Sequence, residues 1–159
     1  MLASEISTLY ALAHELFYLG VDDSPIYSDH FTALNREVFH RANILFHHKP
    51  STIDEEASLC LSLLMGYNAT LYDDGDKQER IHEILERCWK ILDYLPASLL
   101  KCQLLVAGYA EVFDRNLLDQ AHAIINTWVG REWTDTERET VEYLKSLEEN
   151  PYPHWEIAD

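Results

Sequence analysis

Apolar residues recur along almost the whole chain at the three-to-four-residue spacing of amphipathic helices. Seven segments carry this pattern, and glycine, proline or a helix-capping residue separates each from the next. No segment alternates apolar and polar residues as a half-buried strand does, and no Asn-Gly hairpin turn occurs. The sequence therefore predicts an all-α fold of about seven helices in a single compact bundle of helical hairpins.

The predicted helices are bounded by residues that commonly start or end helices. Ser28, Thr52, Asp114 and Thr134 are typical N-caps, and a glutamate follows each threonine three residues later, as in a capping box. Glycine or proline is expected at several of the ends. The predicted helices cover residues 4–19, 28 to about 46, 52 to the glycine at 75, 77–94, 97–113, 114–129 and 134 to about 150.

Three of these helices carry features that bear on packing. In the third, the stripe that should face the core includes Asn68 and Leu71, so a buried amide would need hydrogen-bond partners. In the fourth, Arg80 and Arg87 belong to the predicted solvent-facing side. The fifth, LLKCQLLVAGYAEVF, is apolar almost all round, which places residues 97–113 at the centre of the fold.

The acidic turn DDGD separates the third and fourth predicted helices. An EF-hand calcium loop requires alternating oxygen ligands, but here Gly75 follows two adjacent aspartates, so the spacing excludes that loop. Gly75 instead suits a left-handed helix end, and Asp76 with Glu79 suits a capping box for the fourth helix. Asp73 and Asp74 are left without a role in the fold.

A weak internal repeat pairs GYNATLYDDGDKQERIHEIL (66–85) with GYAEVFDRNLLDQAHAII (108–125). Each copy would form a helical hairpin, with the glycine permitting close approach of a neighbouring helix. The repeat is compatible with a short tetratricopeptide-like stack, and an irregular bundle explains it equally well.

The chain is strongly acidic, with 28 acidic residues against 12 basic ones and a formal net charge of −16. Phosphate backbones are bound by lysine and arginine, so direct DNA or RNA binding is disfavoured, and any charged partner should be basic. Acidic surfaces also serve solubility alone, and charge by itself does not separate the two explanations.

The cysteines and the apolar runs indicate a cytoplasmic protein. Cys60, Cys88 and Cys102 lie among apolar residues of helical patterns, which predicts buried thiols rather than disulfides. No apolar stretch approaches the length of a membrane span, and the start of the chain lacks the pattern of a secretion signal.

The sequence contains no motif of an enzyme, a metal site or a cofactor site. The His-Glu pair at His14 and Glu15 lacks the second histidine of the zinc-protease motif. His82 and His122 lie beside core stripes, where hydrogen-bonded structural histidines are common. A metal-dependent enzyme built on these histidines is the least favoured hypothesis, and we expect no catalysis, metal or cofactor.

Segments covering almost the whole chain share a likeness to one known family, and MGYNAT followed by YD-x-GDK is the most specific motif among them. The segments are AHELFYLGVDDSPIYSDHFTALNREVF (13–39), EEASLCLSLLMGYNATLYDDGDKQERI (55–81), LERCWKILDYLPASLLK (85–101), GYAEVFDRNLLDQAHAII (108–125) and SLEENPYPHWEI (146–157). They resemble the UpxZ family of transcription anti-terminator antagonists. The resemblance implies a regulator, encoded in a capsular polysaccharide locus, that interferes with NusG-like antiterminators of competing loci.

This resemblance and the acidic composition together predict a NusG-like antiterminator as partner, bound in the context of RNA polymerase or outside it. The predicted partner-binding surface consists of acidic residues and residues of the Gly-Tyr segment: Asp22, Asp23, Tyr67, Asn68, Tyr72, Asp73 and Asp74. The alternative is a generic acidic helical adaptor that recognises another peptide or protein. We expect one helical domain over residues 1–150 and a tail, residues 151–159, packed on it.

Overall fold

The structure is a computed structural model that describes residues 2–19, 28–71 and 74–149. In these ranges it contains seven α-helices, one 3-10 turn at Leu92–Tyr94 and no strand, which confirms the predicted all-α fold. The helices are α1 (Leu2–Phe17), α2 (Ser28–Leu45), α3 (Ile53–Ala69), α4 (Lys77–Ile91), α5 (Leu99–Val112), α6 (Arg115–Asn126) and α7 (Asp135–Glu149).

The chain divides into two compact units, Met1–Leu95 and Pro96–Asp159. The first unit holds α1 to α4 and the second holds α5 to α7. The single domain expected over residues 1–150 stays a prediction, and the expected tail, 151–159, lies outside the described residues.

In the first unit, α3 is the central helix. It packs against α1, α2 and α4, and its middle turns are buried on all sides because apolar residues occupy every face. A Cβ added at Gly66 would lie 3.5 Å from side-chain atoms of Leu9 and Val38, so the α3 backbone runs close to α1 and α2 there. The sequence pattern predicted a central position only for the fifth helix, but in the first unit the central helix is α3.

In the second unit, α5 packs against both α6 and α7. Its buried residues are Cys102, Leu104, Leu105, Val106, Gly108 and Tyr109, and the rest of the helix is partly or largely exposed although its composition is apolar almost all round. The two predicted hairpins are present as packed helix pairs, α3 with α4 and α5 with α6, and both Gly-Tyr pairs of the repeat are buried. A tetratricopeptide-like stacking of these hairpins stays a prediction.

Both predicted threonine caps are formed. The Thr52 hydroxyl accepts a hydrogen bond from the Glu55 N–H at 3.1 Å. At α7 the capping box is reciprocal, because the Thr134 N–H donates to Glu137 Oε1 at 2.8 Å and the Glu137 N–H donates to Thr134 Oγ1 at 3.1 Å. Asp114 caps α6 as predicted, accepting from the Asn116 N–H at 2.9 Å.

The prediction for the end of the third helix was wrong. The helix ends at Ala69, and Thr70 already has an extended backbone, so Gly75 does not terminate it, although Gly75 has the expected positive φ of 93°. Leu71 leaves the helical stripe and is 79% exposed. Asn68, expected to face the core, is exposed as well. The apolar period continued in the sequence beyond the point where the backbone stops being helical.

The three cysteines are buried and free, as predicted. Burial raises the pKa of Cys102 to about 12. The pKa of Cys88 is also raised, first by a hydrogen bond with Cys60 and then by burial. Thiols in such surroundings are weak nucleophiles, and they serve as small apolar side chains of the core.

Glu137 provides a pH-dependent contribution to stability. Hydrogen bonds from Arg131, at 2.6 and 3.0 Å, and from the Thr134 backbone lower the pKa of Glu137 from 4.5 to about 2. Because the folded-state pKa is depressed, this contribution is complete above about pH 4.5 and is lost as the pH falls through about 2. We expect Glu137→Gln to lose less stability than the wild type over that interval, measured by urea unfolding at several pH values. If the free energy of unfolding depends on pH in the same way for both proteins, Glu137 is not the source of this contribution.

Candidate partner-binding surface

A groove of about 580 Å³ lies along one side of α2. The α2 residues of its lining recur at the helical spacing, and Asp74, which lies between α3 and α4, also lines the groove. The α2 residues that line it are Thr32, Asn35, Arg36, Phe39, His40 and Asn43. This stripe lies next to the core stripe of α2, so one side of the helix packs in the core and an adjacent side lines the groove.

Arg80 of α4 organises the region of the groove. Its guanidinium donates to both carboxylate oxygens of Asp74, at 2.7 and 2.8 Å. It also lies over two aromatic rings, 5.3 Å from the centroid of Tyr67 and 5.6 Å from that of Phe39. One nitrogen of Arg80 thus ties Asp74 to α4, while two cation–π contacts pack the same side chain on α2 and α3.

The ring that Arg80 covers is hydrogen-bonded to α2, because the Tyr67 hydroxyl donates to Asn43 Oδ1 at 2.7 Å. Burial raises the pKa of Tyr67 to about 12, although the charge of Arg80 acts in the opposite direction. Tyr67 therefore stays a neutral donor at any physiological pH.

The backbone that follows α3 is also tied down by side chains. The Leu71 N–H donates to Asn35 Oδ1 at 3.0 Å, and Lys77 Nζ donates to the Thr70 carbonyl at 2.7 Å. These bonds satisfy two backbone groups in the extended segment that follows α3.

Asp74 has a structural role that the sequence did not reveal. Besides the Arg80 ion pair, its Oδ1 accepts the Asp76 N–H at 3.1 Å, so Asp74 rather than Asp76 provides the carboxylate bond at the start of α4, where the predicted Asp76 cap bond is absent. The Arg80 hydrogen bond is the main reason why the pKa of Asp74 is lowered. The prediction that Asp74 does not contribute to the fold was therefore wrong.

The residues of the predicted partner-binding surface lie in different environments. Tyr67 is fully buried and offers no exposed side chain to a partner, which corrects its assignment to a surface. Asn68 is exposed, and Asp74 lines the groove. Asp22, Asp23, Tyr72 and Asp73 lie outside the described residues, so their part in a binding surface stays a prediction.

The groove residues of α2 were missed by the sequence analysis. In the sequence, these polar residues and Phe39 form a stripe at helical spacing beside the core stripe. The stripe alone does not indicate a groove, because polar residues at helical spacing are typical of any solvated helix face.

Histidines and carboxylates do not converge on a metal site in the described ranges. Glu15 pairs with His30 of α2 at 3.1 Å, and His122 pairs with Glu148 of α7 at 2.9 Å, as expected for a hydrogen-bonded structural histidine. His82 is exposed on α4. No described helix combines the length and apolarity that crossing a bilayer requires.

Comparison with known proteins gives a consistent result. The sequence profile of the UpxZ family of transcription anti-terminator antagonists matches residues 6–110. The fold is similar to the crystal structure of a transcription anti-terminator antagonist UpxZ from Bacteroides uniformis ATCC 8492, with a TM-score of 0.89, 48% sequence identity and 96% of each chain covered. No curated protein matches the chain. The chain therefore belongs to the UpxZ family of transcription anti-terminator antagonists.

Proposed function

We propose that this protein inhibits transcription antitermination by binding a NusG-like antiterminator of a competing capsular polysaccharide locus. Binding keeps that factor from engaging the transcription elongation complex productively. The observation that supports the proposal most is the 48% identity over 96% of the chain to an anti-terminator antagonist. Catalysis plays no part in this mechanism, since occupancy of the partner is sufficient.

The charge of the protein supports a basic partner. Three glutamates, Glu79, Glu83 and Glu86, follow the exposed side of α4, and none of them forms an ion pair within the described ranges. With a net charge of −16, the field of the whole molecule attracts a basic, nucleic-acid-facing surface. Such attraction increases the rate of encounter more than it increases affinity.

Titration of purified antiterminators against the protein tests this function. We expect at least one antiterminator of another locus to bind and the association rate to fall as salt is raised. Indifference to every antiterminator, at low and moderate salt, would refute the function and favour the adaptor hypothesis. Binding without salt dependence would refute only the electrostatic part.

A pair of matched variants locates the acidic surface. The first variant neutralises three predicted surface residues, Asp22→Asn, Asp23→Asn and Asp73→Asn. The control neutralises three exposed glutamates of the second unit, Glu132→Gln, Glu142→Gln and Glu149→Gln, and so changes the net charge equally. We expect the first variant alone to weaken antiterminator binding severalfold. Equal weakening of both would show that net charge acts without a defined acidic surface.

A further inference from the structure

The α2 groove contains a cation, Arg36, that has no carboxylate partner among the described residues. Although acidic residues outnumber basic ones more than two to one, no carboxylate lies within ion-pair distance of Arg36 in the part of the chain that the structure describes. Every other arginine has one. These pairs are Arg41–Glu37, Arg80–Asp74, Arg87–Glu56, Arg115–Asp119, Arg131–Glu137 and Arg138–Asp135.

Two asparagine side chains of the groove are oriented as hydrogen-bond donors. Asn35 Oδ1 accepts the Leu71 N–H, and Asn43 Oδ1 accepts the Tyr67 hydroxyl. These bonds fix both amide orientations and leave both NH₂ groups for other acceptors. No described residue accepts from either NH₂ group.

The carboxylate on the lining does not neutralise these donors. Both oxygens of Asp74 accept from Arg80, so its charge is already compensated. The buried ring of Phe39 adds an apolar part to the lining. The groove thus combines a cation without a carboxylate partner in the described ranges, two amide donors and an aromatic ring. It is suited to an acceptor-rich ligand with an apolar group.

We propose that the α2 groove binds an extended segment of the antiterminator in which an acidic residue stands next to an apolar one. The carboxylate pairs with Arg36, the segment's carbonyls accept from Asn35 and Asn43, and the apolar side chain lies on Phe39. This inference rests on the proposed function for the identity of the partner. The Arg36 contact is basic, whereas the predicted partner-binding surface is acidic. Together they favour a partner that has an acidic residue opposite Arg36 and basic residues opposite the acidic surface.

Arginine variants can distinguish a specific contact in the groove from the effect of net charge, because the two change the affinity for the antiterminator in opposite directions. Any lost arginine makes the protein more negative and should leave binding of a basic partner unchanged or slightly tighter. Arg36→Met should instead weaken antiterminator binding about tenfold, the scale of one charge-assisted hydrogen bond. Arg115→Met is the matched control, since Arg115 is 86% exposed and does not line the groove.

Asn43→Asp is a second variant with almost the same shape. It keeps an oxygen for the Tyr67 hydroxyl but replaces the NH₂ donor by a carboxylate oxygen, which should repel the acidic residue of the partner. If Arg36→Met and Asn43→Asp bind like Arg115→Met while the wild type binds, the groove assignment is wrong and the proposed function stands.

A peptide titration tests the groove independently of the antiterminator. The probe is acetyl-Leu-Glu-Leu-amide, its control is acetyl-Leu-Gln-Leu-amide, and the readout is the side-chain NH₂ signals of Asn35 and Asn43 in ¹⁵N-labelled full-length protein. We expect larger shifts with the glutamate peptide and their loss in Arg36→Met. Unmoved signals, or equal shifts with both peptides, would overturn the inference even if the antiterminator binds; failure of antiterminator binding alone would overturn the proposed function.

Discussion

Replacement of Arg87 by methionine should lower the free energy of unfolding by about 3 kcal/mol. Arg87 of α4 donates to both carboxylate oxygens of Glu56 on α3, and also to the Phe46 and His48 carbonyls at 3.1 Å each. Its side chain is 14% exposed and that of Glu56 is 20% exposed. Methionine would fill much of the space but would leave a largely buried carboxylate and two carbonyls without their donor.

The measurement is urea unfolding at neutral pH, followed by circular dichroism at the helical band. Arg87→Lys should recover only part of the loss, because an ammonium cannot span the carboxylate and both carbonyls as a planar guanidinium does. Arg115→Met is the control and should change stability by less than about 0.5 kcal/mol, since its pair with Asp119 is exposed and 4.0 Å long. If Arg87→Met changes the free energy of unfolding as little as Arg115→Met does, water replaces the contacts that Arg87 makes.

Replacement of Arg80 by methionine should destabilise the protein by about 2 kcal/mol. The variant loses the ion pair with Asp74 and the contacts over Phe39 and Tyr67. Arg41→Met on α2 is the matched control, because the Arg41–Glu37 pair is an exposed pair within one helix. Equal unfolding midpoints for the two variants in urea would refute this role of Arg80.

The Arg80 network changes how the DDGD turn should be tested. Charge reversal at Asp74 would break its ion pair with Arg80 and alter the groove lining, so lost partner binding in such a variant would not locate an interface. Neutralisation of Asp22, Asp23 and Asp73, with Asp74 left intact, avoids that known structural contact.

Local sequence signals predicted the helices because their causes are local. The seven helices and the caps at Thr52, Asp114 and Thr134 depend on residues within one or two turns of each other. The positive φ at Gly75 is a local property of the same kind. The family was also recognisable from the sequence, because its motifs are short runs of contiguous residues.

The roles of Arg80 and Arg87 illustrate what a helical period cannot show. The two residues are seven positions apart on α4 and were assigned to its solvent-facing side, yet their side chains are only 16% and 14% exposed. Each reaches a carboxylate on another segment of the first unit. A periodic pattern gives the direction in which a side chain leaves its helix, but the length of arginine lets it reach partners that only the packed neighbours provide.

The sequence by itself determined the helical fold, the caps at Thr52, Asp114 and Thr134, the buried cysteines and the family, because each follows from composition or from residues close together in the chain. Only the tertiary structure decided that Tyr67 is buried, that Leu71 and Asn68 are exposed, that Asp74 belongs to an ion pair and that Asn35, Arg36 and Asn43 share a groove. These features depend on where α3 ends and on how Leu71 and Asp74 are placed beside α2. Contacts between segments 30 or more residues apart, such as that of Leu71 with Asn35, form only when the helices pack.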